Sequence, residues 1–322
     1  RQTLPTDKSA IFEALIQLRF QHDVKKFKTT KIDLAKRRTL IFGTLEKLAI
    51  SMGLLGRNYI DEDEYYHIVS DENTREIIEY ATLWKQEKSE KETWQFEHNI
   101  FQEYLAAKVL SRQTLDTIKR VISFERGYDK IKPTWVNTLS FLTSILHTTN
   151  QKLFTQLVNN WILKIEPELL IKFEPDKLPK KMRIHTFKKI FNHYKKKQIR
   201  INRDKFPNWE LAQFGQSEEI VDFLLDEIED ANDSIVICTA IELLNFMKGT
   251  RQQKARFKKN LVDCALKRSF DREYKQIIPN RTLLALTNHN FNKDRSLVNR
   301  IVAELVLVQR ELDKLSQFIS NN

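Results

Sequence analysis

Apolar residues return at steps of three and four through most of this chain, and little interrupts them. Ile41, Leu45, Leu48 and Met52 form one such stripe, Trp135, Leu139, Leu142 and Leu146 a second, and Phe187, Ile190, Phe191 and Tyr194 a third. That spacing places each set on one face of an α-helix. Only 6 glycines and 7 prolines occur among 322 residues, too few for the tight turns of an all-β protein or a glycine-rich α/β enzyme. The expected fold class is mainly α, in two or three domains.

Taken in order, residues 4–28 predict a helix capped by Asp7 or Ser9, with Ile11, Leu15, Leu18 and Val24 as its apolar face. A basic loop, Lys25–Lys31, precedes a helix over Leu34–Met52 that Gly53 and Gly56 end. Gly56–Ile60 reads as a short extended piece, and Asp61 caps a short helix running to Val69. The acids Asp61, Glu62, Asp63 and Glu64 suit a helix start better than a metal site, because no apolar strand precedes them. Asn73–Lys88 predicts a helix with Ile77, Ile78, Ala81 and Trp84 inward, followed by a polar turn to Glu92. Trp94 and Phe96 then alternate with Gln95 as in a strand. After His98 a helical run begins, with Ile100, Phe101, Tyr104, Leu105, Lys108 and Val109 at helical spacing. Asn99 is of the type that caps such a helix, and Glu103 is expected in its first turn. This order of elements suits a small winged-helix-like unit. Its candidate recognition helix, Asp61–Val69, is acidic and would repel phosphate, so DNA reading is not expected of it.

Beyond Arg112 the chain reads as successive helix pairs. The expected helices are Leu115–Phe124, one opened by Lys132–Trp135, Gln151–Ile165, a short Glu168–Phe173 and the basic helix around Phe187. After Pro207 come Trp209–Phe214, Glu218–Ile228, Ser234–Met247, Gln253–Leu266, Thr282–Thr287 and Ser296–Ile319. Stacked pairs of this length predict an irregular α-solenoid of the HEAT or armadillo kind.

Charge is unevenly placed. Lys and Arg number 54 against 43 Asp and Glu, a net charge of +11. Residues 177–205 hold twelve basic residues and one acid, Asp204, so this segment alone matches the excess of the whole chain. Lys180, Lys181, Lys188, Lys189, Lys195, Lys196, Lys197 and Arg200 are its candidate partner-binding patch. An acidic protein or a nucleic acid would suit it. The aromatics Phe187, Phe191 and Tyr194 lie on the apolar stripe, where core packing is the simpler role than base stacking. A solvated lysine face is the plainer alternative.

The sequence contains no P-loop, no C-x-x-C, H-E-x-x-H or EF-hand pattern and no nucleophile elbow. Neither enzymatic activity nor a bound metal is therefore expected of this chain itself. Cys238 and Cys264 sit in helical apolar patterns, which predicts buried free thiols and a reducing, cytoplasmic setting. No apolar run is long enough to cross a bilayer. The sequence starts at Arg1 rather than Met, so a piece of a longer polypeptide is expected.

Of the seven histidines, His98 stands out by its neighbours. The run Phe96-x-His98-x-x-Phe101-Gln102-Glu103-Tyr104-Leu105-Ala106-Ala107 closely resembles the winged-helix signature of NACHT-type STAND NTPases, the family of animal inflammasome receptors and bacterial antiphage sensors. Leu4-Pro5 with Ser9–Leu15 resembles the family's last helical segment before the winged helix. Lys132–Trp135 with Leu139, Phe141 and Leu142 resembles its first helix afterwards. The likeness spans residues 4–146. It implies a terminal helical segment of an NTPase module over 1–32, a winged helix over 33–113 and a helical-repeat sensor over 114–322. It also implies that His98 contacts the β-phosphate of ADP in a closed state, while Gln102, Glu103, Tyr104, Ala106 and Ala107 pack and cap. ADP or ATP with Mg²⁺ would belong to an upstream NTPase core of the same polypeptide, since Walker A and B are absent here. Oligomerisation would follow activation of the full-length protein, and antiviral defence is the implied setting. The alternative reading is a nucleic-acid-binding α-solenoid that uses the 177–205 segment.

Overall fold

A computed structural model describes residues 7–28, 33–88, 92–124, 127–201, 206–266 and 274–288, with 298–303, 306, 307 and 310. The expectations for Leu4-Pro5, for Arg203, Asp204 and Lys205, and for most of Ser296–Ile319 fall outside these residues. The chain is mainly α with one small sheet, and it forms two compact units, Arg1–Lys177 and Leu178–Asn322.

In the first unit, helix α1 (Lys8–Lys26) starts at Asp7, whose carboxylate accepts from the Ser9 and Ala10 N–H groups. Its buried face differs from the expected one. Ile11, Leu15 and Leu18 are exposed, whereas Ile16, Phe20 and Asp23 are buried. Helix α2 (Arg38–Leu55) buries Ile41, Leu45, Leu48 and Met52 as the stripe requires. Gly56, at φ 69°, ends it in the left-handed region. Gly53 instead lies within the helix, where a Cβ would meet the Trp135 ring at 2.7 Å.

Strand β1 (Tyr59–Asp61) leads into α3 (Glu62–Ile68), whose start is a capping box between Asp61 and Glu64. Helix α4 (Glu72–Ile78) is shorter than expected. Trp84 opens β2 (Trp84–Lys88), which pairs antiparallel with β3 (Glu92–Phe96). Strand β1 covers the other edge of β3, giving the order β1–β3–β2. The four residues expected inward from a single helix are all buried, but from a helix, a turn and a strand. The break follows from Asp23 of α1, which accepts hydrogen bonds from the Thr82 N–H at 3.1 Å and its hydroxyl at 2.8 Å. Tyr65, Trp84, Trp94 and Phe96 interlock beneath this wing, with Tyr65 and Trp94 stacked at 4.6 Å.

Helix α5 (Asn99–Leu110) packs between α2 and α7 (Val136–Thr149), after α6 (Leu115–Ile122) has intervened in sequence. A 3₁₀ turn at Pro133–Trp135 opens α7, and its stripe of Trp135, Leu139, Leu142 and Leu146 is buried. Helix α8 (Gln151–Leu157) runs through a π-turn at Val158–Ile162 into the short α9 (Leu163–Ile165). The short element after it is 3₁₀, Pro167–Lys172.

The second unit contains α10 (Lys180–Lys197), α11 (Asn208–Gly215), α12 (Glu218–Asp230), α13 (Ser234–Leu244), α14 (Arg251–Leu266) and α15 (Tyr274–Asn288). Helix α15 extends further at its N-terminal side than the Thr282–Thr287 expectation. Each helix packs against its hairpin partner and against the next but one. The even-numbered helices thereby form one layer and the odd-numbered helices the other, as in an irregular α-solenoid. Cys238 on α13 and Cys264 on α14 are buried and form no disulfide. Among the described residues no helix is long and apolar enough to cross a membrane.

Candidate functional site: the β3–α5 junction and the basic helix

Strand β3 fixes the approach to His98. Trp94 and Phe96 face the core, so Gln95 and Glu97 point away from it, and the Glu97 N–H donates to the Leu83 carbonyl at 2.9 Å. Arg19 of α1 pairs with Glu97 at 3.0 Å. His98 is the next residue. Its backbone is still extended, at φ −141° and ψ 139°, while its carbonyl already accepts from the Phe101 N–H at 3.0 Å. His98, not Asn99, therefore occupies the N-cap position, and its side chain caps nothing.

The imidazole is exposed. Its ring lies 6.1 Å from that of Phe101, tilted by 31°. Neither ring nitrogen has a hydrogen-bond partner among the described residues. The arrangement offers a donor beside the positive end of a 12-residue helix, which is chemistry suited to an anion.

The residues around it are occupied structurally. Asn99 Oδ1 accepts from Asn58 Nδ2 at 3.2 Å. Buried Gln102 donates from Nε2 to the Arg57 carbonyl at 3.1 Å, and Arg57 pairs with Glu64. Glu103 lies past the first turn of α5, where its carboxylate accepts from Asn137 at 2.9 Å. An open pocket of about 230 Å³ lies beside this cluster, bounded by Arg57, Asn58, Asn99, Gln102 and Trp135. Phe101, Tyr104, Leu105, Ala106 and Ala107 are buried, so the signature run is mainly packing with one exposed imidazole at its start.

A polar network that the sequence reading did not single out joins α1 to this helix. Tyr104 donates to Glu13 at 2.6 Å, and Lys108 reaches the same carboxylate at 2.9 Å. Burial and the Glu13 contact push the Tyr104 phenol well above its ordinary range. At the start of α1, Asp7 accepts from Ser9, Ser144 and Lys177. Burial acts to raise its carboxyl, but those donors and the Ala10 N–H outweigh burial and hold it far below the usual range. The spacing of Asp7 and Glu13 in sequence carries no sign of these partners, which come from distant helices.

Most of the described basic residues of the segment lie on α10, with Lys177 before it and Arg200 just beyond its end. Its apolar stripe is buried, and Lys180, Lys181, Lys189, Lys195, Lys196, Lys197 and Arg200 are exposed, with Lys188 half-buried. Several of these charges are paired within the unit. Lys188 meets Glu219 at 2.8 Å and Lys195 meets Glu227, both on α12. Arg200 meets Glu242 of α13 at 3.3 Å. Lys180, Lys181, Lys196 and Lys197 have no ion-pair partner among the described residues. The described part of the segment thus faces an acidic neighbour along part of its length. No protein-family model matches the chain, and no curated protein matches it in sequence.

Proposed function

We propose that this chain is the regulatory and sensor part of a NACHT-type nucleotide switch, with His98 latching a closed, ADP-bound state. The observation that carries this reading is the exposed, unpartnered imidazole of His98 at the start of α5. A histidine serving only the winged-helix-like unit would find a partner inside it, as Asn99 and Gln102 beside it do. The residues present fit one contact to a phosphate oxygen. They do not supply a nucleotide cradle, because the sequence holds no glycine-rich phosphate loop. ADP or ATP with Mg²⁺ would be held by an NTPase core elsewhere in the same polypeptide, so this part is not itself an enzyme.

In this reading the helical part recognises a trigger whose differential affinity for the open state shifts the equilibrium, and assembly of the full-length protein follows. Antiviral defence in the cytoplasm is the setting that the resemblance in residues 4–146 supports. The pairing of Lys188, Lys195 and Arg200 with acids of the same unit weighs against the alternative, a nucleic-acid-binding solenoid.

The test uses the longer polypeptide that joins this chain to its core. ADP that copurifies with it is quantified before and after the substitution His98→Ala. Loss of one charge-assisted hydrogen bond predicts about tenfold faster ADP release. Unchanged release would remove His98 from the mechanism.

A further inference from the structure

The second unit contains a pocket of about 240 Å³ among α11, α13 and α15. Its rim is apolar and its floor is polar. Trp209, Phe246 and Leu284 stand at the rim, 45%, 50% and 46% exposed, an unusual concentration of large apolar side chains in one place. The floor is formed by Asn208, Glu242 and Asn245, with Arg281 beside them.

Glu242 is buried and fully engaged. It accepts from Asn208 Nδ2 at 2.8 Å, from Arg281 at 3.0 Å and from Arg200 at 3.3 Å. The first contact fixes the Asn208 amide, because only its nitrogen can donate to a carboxylate. Its Oδ1 must then be the free end. Asn208 is 7% exposed, and this oxygen is buried with no hydrogen-bond partner. The Oδ1 of Asn245, on the same pocket wall, is likewise buried and unpartnered. Each oxygen is an acceptor that a donor entering the pocket would satisfy.

These features define the ligand. Two acceptors call for an N–H or O–H donor. Two arginines already surround the single carboxylate, so a further cation is repelled, and an anion would meet the orphan oxygens. The donor is therefore neutral, and the aromatic rim requires a flat apolar body behind it. A nucleic acid would need a basic groove along its backbone, but Arg281, the one cation lining the pocket among the described residues, is paired with Glu242.

We propose that this pocket receives a tyrosine or tryptophan side chain of a protein partner, inserted with its O–H or N–H tip toward Asn208 and Asn245. Aromatic anchors with one polar end are the side chains that most often dominate protein interfaces. The site is independent of His98, which lies in the other unit, so either idea can fail without the other.

Ligand-observed saturation-transfer NMR on the intact chain tests it, with N-acetyl-tyrosinamide, N-acetyl-phenylalaninamide and adenosine as probes. The tyrosine probe is expected to bind at roughly millimolar affinity, as its size allows. It should bind about tenfold more tightly than the phenylalanine probe, which lacks the donor. Trp209→Ala and Phe246→Ala, both at exposed positions, should each abolish the signal while circular dichroism stays unchanged. Absence of tyrosine-probe binding, equal binding of the two amino-acid probes, tighter binding of adenosine, or a signal that survives both substitutions would each overturn the assignment.

Discussion

Helices α1 and α10 present the same kind of pattern in sequence and behave differently in the fold. In α10 the stripe Phe187, Ile190, Phe191 and Tyr194 is buried, none more than 5% exposed. In α1 the stripe Ile11, Leu15 and Leu18 remains outside, at 39%, 42% and 61% exposure. The neighbouring face is turned inward instead. There Phe12 meets Phe101 at 6.1 Å and Phe141 at 5.1 Å edge-on, with Ile16, Phe20 and Asp23 following. The inward face of α1 carries polar anchors at both ends, Asp7 and Asp23, each bound to distant groups. An apolar stripe thus selects the buried face of a helix only when the competing face offers no specific partners.

The sharpest way to test this contrast is truncation on each stripe. Phe187→Ala should cost about 3–5 kcal/mol, because the ring is fully buried against Gly215 and leaves a cavity. Leu18→Ala should stay within about 0.5 kcal/mol. Both are read from urea unfolding of the transition that includes the altered unit. A loss above about 1 kcal/mol for Leu18→Ala would mean that this face is covered. Next in size, Asp23→Ala should cost about 1–3 kcal/mol, since it strands the Thr82 N–H and hydroxyl where the chain leaves α4. Hydrogen exchange at Thr82 should accelerate with it; protection unchanged from the parent would show that the anchor does not set the α1 face.

The stripes of α2, α7 and α10 were legible because each helix is long enough to repeat its spacing, and in α10 the lysines mark the other face as well. The wing hairpin was not. Ile77, Ile78, Ala81 and Trp84 recur at helical steps, and the Asp23–Thr82 bond that breaks the helix joins residues 59 apart. The turn before β3 was visible as a polar run, but β2 carries only one large apolar residue, Trp84, and shows no alternation. At the candidate site, the strand-to-helix step around His98 could be read from Trp94 to Val109. That Asn58, Arg57 and Asn137 would engage the three polar residues after His98, and leave the imidazole without a partner, depends on packing. The basic segment shows the same limit. Its charge is obvious in sequence, but Glu219, Glu227 and Glu242, which pair with part of it, arrive from other helices.

Acid unfolding probes the polar anchor at the start of α1. Asp7 has its carboxyl held below the ordinary value of about 3.9 in the fold. Its contribution to stability is fully present above that ordinary value and is lost as pH falls through the depressed one. Asp7→Asn should therefore lower stability at neutral pH and make the acid limb of the stability curve shallower. Parallel curves for the two proteins below pH about 4 would exclude Asp7 as a source of that limb.

The smallest expected effect lies on α10. Lys188 and Lys195 are one-third and nearly one-half exposed, at 34% and 44%, so their pairs with Glu219 and Glu227 sit in a largely aqueous field. Each of Lys188→Ala and Lys195→Ala should cost about 0.2–1 kcal/mol. Lys195 should cost more, because Glu227 is only 12% exposed and loses its partner in a poorer solvent than Glu219, which is 56% exposed. Raising the salt to about 1 M should shrink both differences, since the Debye length falls to about 3 Å. Salt-independent losses would mean instead that the lysine stems act by packing on α12, where Lys188 already lies 5.4 Å from the centre of the Phe223 ring. The comparison with α1 would then narrow. Both helices would owe their orientation to contacts of neighbouring side chains, and the charge of the basic segment would be incidental to where α10 packs.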